Sequence, residues 1–391
     1  MFLKIFKSFL VVVIVTTLIT LPIMAEQPDF DLNSKSAILM EYETGEIIFE
    51  KNAHLKLPPA SMTKIMTMLL AVEAIEQGRA ELADKLVVSE FAASMGGSQI
   101  WLEPGEEMTL EEMLRAIAIV SANDACVAVA EYLYGTEEAF VKRMNERARE
   151  LGLKNTYYYN TNGLPADNEE IQGNYTTAYD LAVLAREILK YPEVLKWTST
   201  WIDYLRDGSS VLNNTNRLVR HYLGADGLKT GYTEEAKFCL TSTARRDSIR
   251  FIAVVMAADD SKTRFAEAAE LLSFGFSTYQ GYEVAAKDEF IAEVKIPNGK
   301  EETARGIIKE ELIVPVKKGN EDSIRKEVFL DELIRAPLNK GDKIGELRAY
   351  KGNLLLKSSD IILDRDVEKA GIFQLVLRII TRIIQLIINL F

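Results

Sequence analysis

Histidine is almost missing from this chain: only His54 and His221 occur among 391 residues. With no His/Cys/carboxylate cluster at metal-ligand spacing, neither a metal nor a cofactor is expected. Cysteine is as scarce. Cys126 and Cys239 are too few for a disulfide framework in a chain of this size, and are expected as free thiols. Basic residues are outnumbered, 46 Lys and Arg against 58 Asp and Glu, for a net charge of −12. That balance, with no basic stripe, argues against nucleic acid as a partner. Internal repeats and low-complexity tracts are absent as well.

What is present begins at the two ends. Residues Met1–Ala25 carry Lys4 and Lys7, then an apolar run from Phe9 to Leu21, then small Ala25 at the expected cut. This is the pattern of a secretory signal peptide, with a retained anchor as the alternative. Its removal takes the charge from −12 to −14 and leaves 366 residues, more than one ordinary core. At the other end, from Ile372 to Phe391, the polar residues Gln374, Arg378, Thr381, Arg382, Gln385 and Asn389 fall within an arc of about 100° at helical spacing. Two mid-segment arginines cost about 2.5–3.5 kcal/mol each at a bilayer centre and little at its surface. Residues 367–391 are therefore expected as an amphipathic helix lying on a membrane, with a dimerisation helix as the alternative.

Between the ends, Ser36 to Tyr42 and Glu46 to Glu50 read as strands around the turn Glu43-Thr44-Gly45. Helical spacing follows in Leu110, Met113, Leu114, Ile117 and Val120, in Phe140, Met144, Ala148 and Leu151, and in Leu181, Leu184 and Ile188. From Gly227 the pattern returns to strands: Gly227 to Tyr232, Lys237 to Ala244 and Phe251 to Ala257, with Arg245-Arg246-Asp247 as a turn. Early strands, a block of helices and late strands imply one sheet shared by both ends of an α+β domain, residues 26–279, closed by a helix over Phe265 to Phe276. Residues 280–366 then read as a small all-β domain, with strands at Glu289 to Ile296, Glu311 to Val316, Lys343 to Ala349 and Asn353 to Leu356.

Chemistry is concentrated at Pro58-Pro59-Ala60-Ser61-Met62-Thr63-Lys64. The prolines disfavour helix before Ser61, and Ile65, Met68, Leu69, Val72 and Ile75 then recur at helical spacing, so Ser61 is expected in a first helical turn. Lys64, three residues on, shares its face. A lysine can activate a serine if its pKa falls from about 10.4 toward neutrality, which costs roughly 4 kcal/mol. S-x-x-K alone says little: a second match, Ser323-Ile324-Arg325-Lys326, occurs in the same chain. Two further triplets follow Ser61 in order. Ser121-Ala122-Asn123 ends an apolar helical stretch and can present a hydroxyl and an amide from an interhelical loop. Lys229-Thr230-Gly231 lies on a strand, with a cation, a hydroxyl for a carboxylate and room for an extended peptide.

S-x-x-K, S-x-N and K-T-G in this order resemble the signature of penicillin-recognising serine enzymes. With the leader, the trailing β domain and the amphipathic tail, the chain is similar over nearly its whole length to low-molecular-mass penicillin-binding proteins of the D-alanyl-D-alanine carboxypeptidase family. The resemblance implies a penicillin-binding/β-lactamase-like catalytic domain, an antiparallel sheet with a helical subdomain. The implied reaction removes the terminal D-alanine from peptidoglycan stem peptides ending in D-Ala-D-Ala, and β-lactams are the implied covalent inhibitors. The implied location is the outer face of the cytoplasmic membrane, reached by export.

Carried onto this sequence, the resemblance makes Ser61 the nucleophile, Lys64 its base and Ser121 the proton relay to the leaving group. Asn123 holds the substrate amide and Lys64, while Lys229 keeps Lys64 neutral by like charge. The backbone N–H groups of Ser61 and Tyr232 form the oxyanion site. Thr230 and Arg264 receive the substrate carboxylate, Gly231 gives the peptide space, and Asp180 matches a family carboxylate near the site. Two rivals remain. A class A-like β-lactamase needs a deacylating glutamate, for which Glu170 in Glu170-Ile171-Gln172-Gly173-Asn174 is the candidate, although Ala122 stands where that class has aspartate. A penicillin-binding receptor or scaffold without catalysis is the other.

Overall fold

The structure is a computed structural model that describes residues 30–166, 168 and 170–389. The leader expected at Met1–Ala25 lies outside the described residues. Five antiparallel strands form the main sheet in the order Ile47–Lys51, Ser36–Glu41, Ile249–Ala258, Lys237–Arg246, Ala225–Thr233. The first two are the earliest strands of the chain and the last three the latest, so the non-local pairing expected of an α+β domain is realised. Every residue of the central strand Ile249–Ala258 is buried. Its apolar run from Phe251 onward suits a strand covered on both faces, and the helices Ala178–Ile188 and Ser261–Thr278 both pack on it.

The helix Lys64–Glu76 is apolar all round and buried from Lys64 to Ala74, as a helix at the centre of a core must be. Around it stand Leu110–Ile119, Asn123–Tyr134 and Glu137–Glu150. Ser61 differs in detail from the expectation. It lies in a short 3₁₀ turn, Ala60–Thr63, that precedes the α-helix, and Ala60 enters this turn at φ +47°. A left-handed alanine costs about 1 kcal/mol and persists only where neighbours hold it. Two glycines do so. A Cβ on Gly163, itself at φ +86°, would sit 1.9 Å from the Ala60 carbonyl oxygen, and one on Gly231 would sit 2.7 Å from that of Pro59.

The turn after the Lys237–Arg246 strand is also displaced from its expected place. Arg245 and Arg246 extend the strand, and Asp247-Ser248 make the turn, with Asp247 at φ +51°. Aspartate tolerates that conformation better than arginine. The β domain has its own apolar core, from Val284 to Val367. Its five-stranded sheet runs Phe290–Lys295, Thr303–Ile308, Leu354–Leu363, Lys343–Lys351, Ile324–Leu330, beside a two-stranded ladder of Tyr279–Ala285 with Leu312–Lys317. Three of these strands have no counterpart in the sequence reading. Ile324–Leu330 is a half-exposed edge with no alternation to read, Thr303–Ile308 is interrupted by Gly306, and Tyr279–Ala285 by Gly281.

The tail forms one helix, Ile372–Ile388, whose Ile372, Phe373, Leu377 and Ile388 are exposed. Arg378 turns back instead, donating to the Gly299 and Lys300 carbonyls at 2.8 and 2.7 Å and pairing with Glu302 at 3.1 Å. No helix among the described residues is long and apolar enough to cross a membrane.

The Gly163 contact sets a test of this architecture. Gly163→Ala should lower stability by about 1–3 kcal/mol and sharply slow any reaction at Ser61, whereas Gly371→Ala, which meets no neighbour within 4 Å, should do neither. Denaturant melts with parallel activity assays check it; a neutral Gly163→Ala would mean that the Ala60 turn is held by something else.

Candidate active site

Lys64 is fully buried, and its Nζ lies 2.8 Å from Ser61 Oγ, 3.2 Å from Ser121 Oγ and 2.5 Å from Asn123 Oδ1. The orientation of the Asn123 amide follows from its other end, where Nδ2 donates to the Gly96 carbonyl at 2.6 Å. Asn123 Oδ1 can therefore only accept from Lys64. A neutral amine has two N–H donors and one lone pair. Donating to Asn123 and Ser121 leaves the lone pair for the Ser61 hydroxyl, which is the arrangement a base requires.

Burial is the main cause that lowers the Lys64 pKa, to about 8, with Cys126 and Asp124 pulling the other way. The thiol has little hold on the ammonium at neutral pH, because burial pushes its own pKa up to about 12. Cys126 and Cys239 are both free and buried, as the sequence led one to expect. Lys229 is also fully buried and held well below the ordinary lysine range, first by burial and then by the charges of Lys64 and Arg264. Desolvation is thus the first cause in both lysines, and like charge enters only at Lys229, so Lys64 is kept low by burial where repulsion from Lys229 was expected.

Ser121 occupies a loop between two helices at φ +68°, not a capping position; the residue before the Asn123–Tyr134 helix is Ala122. The loop is anchored by a residue that the sequence reading overlooked. Buried Asp124 accepts from the Ile100 and Leu102 N–H groups at 3.1 and 3.2 Å, while Asn123 N–H donates to the Ser98 carbonyl at 2.7 Å. These bonds clamp the Gly96–Leu102 segment to the helix start and fix where Ser121 and Asn123 point.

Lys229, Thr230 and Gly231 lie on the edge strand Ala225–Thr233, against which the Ser61 turn packs. Strand alternation puts Lys229 and Gly231 on one face. The space left by Gly231 is filled by Pro59 and Ala60, so it lets the serine turn approach the strand. Lys229 Nζ donates to the Thr230 carbonyl at 3.1 Å. Thr230 Oγ1 meets Thr215 Oγ1 at 2.7 Å, a second hydroxyl missed in the sequence. Its signal was Asn214-Thr215-Asn216. Asn214 bonds the Thr198 and Thr200 carbonyls, Asn216 bonds that of Gly227, and each Oδ1 caps a following N–H. Tyr232 is half exposed, with its ring 4.4 Å from that of Phe238.

Other singled-out residues stand apart from this cluster. Arg264 is buried, donates to the Gly231 and Cys239 carbonyls at 3.0 and 3.2 Å, and is lowered to about 10 by burial. It braces the edge strand from the helix Ser261–Thr278. Asp180 accepts from Asn155 N–H and Thr156 Oγ1 at 2.9 and 2.8 Å and ties down the loop before Tyr157. Glu170 is exposed, while Asn174 Nδ2 donates to Thr63 Oγ1 at 2.9 Å as part of the scaffold of the serine turn. In the second S-x-x-K match, Ser323 Oγ donates to the Asn320 carbonyl and Lys326 Nζ to that of Val284, with no contact between them.

The chain is similar to known proteins over most of its length. The family described as D-alanyl-D-alanine carboxypeptidase matches residues 22–260, and that described as penicillin-binding protein 5, C-terminal domain, matches residues 279–369. The D-alanyl-D-alanine carboxypeptidase DacF of Bacillus subtilis (strain 168) is 46% identical over 342 residues, 86% of this chain and 87% of its own. A peptidoglycan synthesis regulatory factor (PBP3) from Streptococcus pneumoniae superposes with a TM-score of 0.76 at 28% identity, covering 87% of this chain and 100% of that one. Penicillin-binding protein D2 from Listeria monocytogenes, in the ampicillin-bound form, has a TM-score of 0.56 at 31% identity, covering 64% and 100%.

The lowered Lys64 pKa has a direct kinetic consequence. With a value of about 8, roughly a tenth of the molecules carry the neutral amine at pH 7, against fewer than about one in a thousand for an exposed lysine. The rate of Ser61 acylation should rise with pH through a midpoint near 8 and level off above it. Stopped-flow acylation rates from pH 6 to 10 check this; a flat profile would remove Lys64 from the role of base.

Proposed function

The chain belongs to the D-alanyl-D-alanine carboxypeptidase family and is a serine-type hydrolase of the low-molecular-mass penicillin-binding proteins, and from that premise we propose how its residues divide the work. Ser61 Oγ attacks the carbonyl between the two terminal D-alanines, and the neutral Lys64 amine takes its proton. The Ser61 and Tyr232 N–H groups hold the oxyanion. Ser121 returns a proton to the departing D-alanine, and water then resolves the acyl-enzyme. Asn123 orients Lys64 and the substrate amide. Thr230, supported by Thr215, receives the free carboxylate, and buried Lys229 braces it through the Thr230 carbonyl. Arg264 acts through the Gly231 carbonyl and Asp180 through its loop, so both are positioning residues.

The observation that carries this reading is the single buried amine within hydrogen-bond reach of both serine hydroxyls. It favours the carboxypeptidase over a class A-like β-lactamase, since the candidate glutamate, Glu170, is exposed and among the described residues is bonded through its backbone N–H to Asn168. A scaffold would have no need of a lysine kept in so costly an environment. Penicillin is then a covalent inhibitor that acylates Ser61 and leaves slowly.

The division of the chain at Tyr279 separates catalysis from placement. The protein is exported by its leader, the β domain holds the active site away from the bilayer, and the Ile372–Ile388 helix lies on the outer face of the cytoplasmic membrane with its exposed isoleucines in the lipid. Glu46 in the first hairpin turn pairs with Lys351 at 2.9 Å, and Glu43 with Lys357 at 3.4 Å, which ties the catalytic domain to the β domain.

Mass spectrometry after benzylpenicillin should find one adduct, on Ser61, in a protein that releases D-alanine from a pentapeptide ending in D-Ala-D-Ala. Lys64→Ala should abolish both and Ser323→Ala neither; an adduct elsewhere, or rapid penicillin turnover, would count against the assignment. Deleting residues 372–391 should release the protein from membranes, and retention would count against the anchor.

A further inference from the structure

A cleft of about 560 Å³ is lined by Lys142, Arg149 and Lys154 with Tyr157 and Tyr175. The two tyrosines face each other across a backbone bridge, Tyr157 N–H to the Tyr175 carbonyl at 2.9 Å and the reverse at 3.1 Å. Their rings stack at 5.8 Å and 26°, with Tyr157 37% exposed, and Lys56 Nζ sits 4.8 Å from the centre of the Tyr175 ring. Glu146, the one carboxylate of the cleft, is paired with Arg143 at 3.8 Å. Lys142, Arg149 and Lys154 have no ion pair among the described residues. In a chain of net charge −12, a concave site with three uncommitted cations around an aromatic stack is out of character with its surroundings.

Tyr175 also lines a larger groove, of about 970 Å³, bounded by Pro58, Pro59 and Ala60 on one side and Thr233 and Glu234 on another. Ser61 follows the first of these segments, and Thr233 follows the Lys-Thr-Gly-Tyr run. In the proposed mechanism the substrate carboxylate sits at Thr230 and the scissile carbonyl at the Tyr232 N–H. The direction from Thr230 to Tyr232 is therefore from the C-terminus of the peptide toward its N-terminus, and the next residues of the stem continue past Thr233 into the groove that Tyr175 closes.

We propose that the Tyr157–Tyr175 cleft binds the anionic, sugar-linked portion of peptidoglycan, so that the polymer is held there while a stem peptide reaches Ser61. This rests on the carboxypeptidase reading. Stem peptides carry free carboxylates that suit the three cations, and the apolar faces of the linked pyranose rings suit the outward face of Tyr157. An anionic phosphodiester polymer of the wall would meet the same cations, but neither the aromatic stack nor the continuity with the catalytic groove favours it.

The test compares the full chain with Tyr157→Ala and with Lys142→Gln/Arg149→Gln/Lys154→Gln, substitutions at exposed side chains. D-alanine release is measured from a short soluble pentapeptide and from purified sacculi stripped of phosphodiester polymers, with co-sedimentation on the same sacculi at low and high salt. Both variants should match the parent on the short peptide and lose about tenfold or more in binding and turnover on sacculi, and the parent's binding should weaken with salt. Equal loss on both substrates would reduce the cleft to a structural element, and unchanged sacculus binding would overturn the proposal. Binding that appears only when phosphodiester polymers are retained would overturn it in favour of that ligand. If the parent releases no D-alanine from the short peptide, the carboxypeptidase reading fails by itself, and co-sedimentation still decides the fate of the cleft.

Discussion

An amine withdrawn from water is the constraint on which the molecule depends. Taking the Lys64 side chain into a core costs several kcal/mol if it stays charged, so the fold must either pair it with a carboxylate or leave it free to lose its proton. It does the second. The neighbours supplied are two hydroxyls and an amide oxygen, and none of them can hold an ammonium as a carboxylate would. The nearest acid, Asp124, is engaged with backbone N–H groups of the Gly96–Leu102 segment.

Most of the surrounding structure can be understood as holding three distant segments in register around that amine. The Ser61 turn is wedged between two glycines, and the missing Cβ atoms at Gly163 and Gly231 set how closely it approaches the loop on one side and the edge strand on the other. The Ser121 loop is pinned by Asp124, and the edge strand by Arg264 and Asn216. Asp124 and Asn216 are buried polar groups with their bonds made, which gives them one arrangement and little freedom to relax, while Arg264 leaves only its Nε unpartnered. Both the turn that carries Ser61 and the loop that carries Ser121 hold a residue at positive φ, Ala60 at +47° and Ser121 at +68°, on a scaffold stiff enough to keep them there.

The reach of the sequence follows the same physics. Elements whose signal is local were legible. The hairpin around Glu43-Thr44-Gly45, the apolar central strand, the helices over Leu110–Ile119 and Ala178–Ile188 and the strand bearing Lys229 all appear close to their expected positions. Linear motifs placed Ser61, Lys64, Ser121, Asn123, Lys229 and Thr230, and these do converge. What escaped depends on contacts between segments far apart in the chain. Thr215 matters because it meets Thr230, Asp124 because it reaches a loop more than twenty residues earlier, and Gly231 because of Pro59. Arg264 was legible as important but not as a brace behind the strand. Within the β domain, exposed edge strands have no buried face to impose an alternation, so their sequence carries little signal.

The charge on one amine decides the account. The full chain labelled at lysine with ¹³C and ¹⁵N, with the Lys64 signal assigned by its loss in Lys64→Arg, can be titrated by NMR. A midpoint near 8, set well apart from the exposed lysines, is the expected result. An amine that stays protonated beyond pH 10 would contradict a base made by burial, whatever the proximity of Ser61.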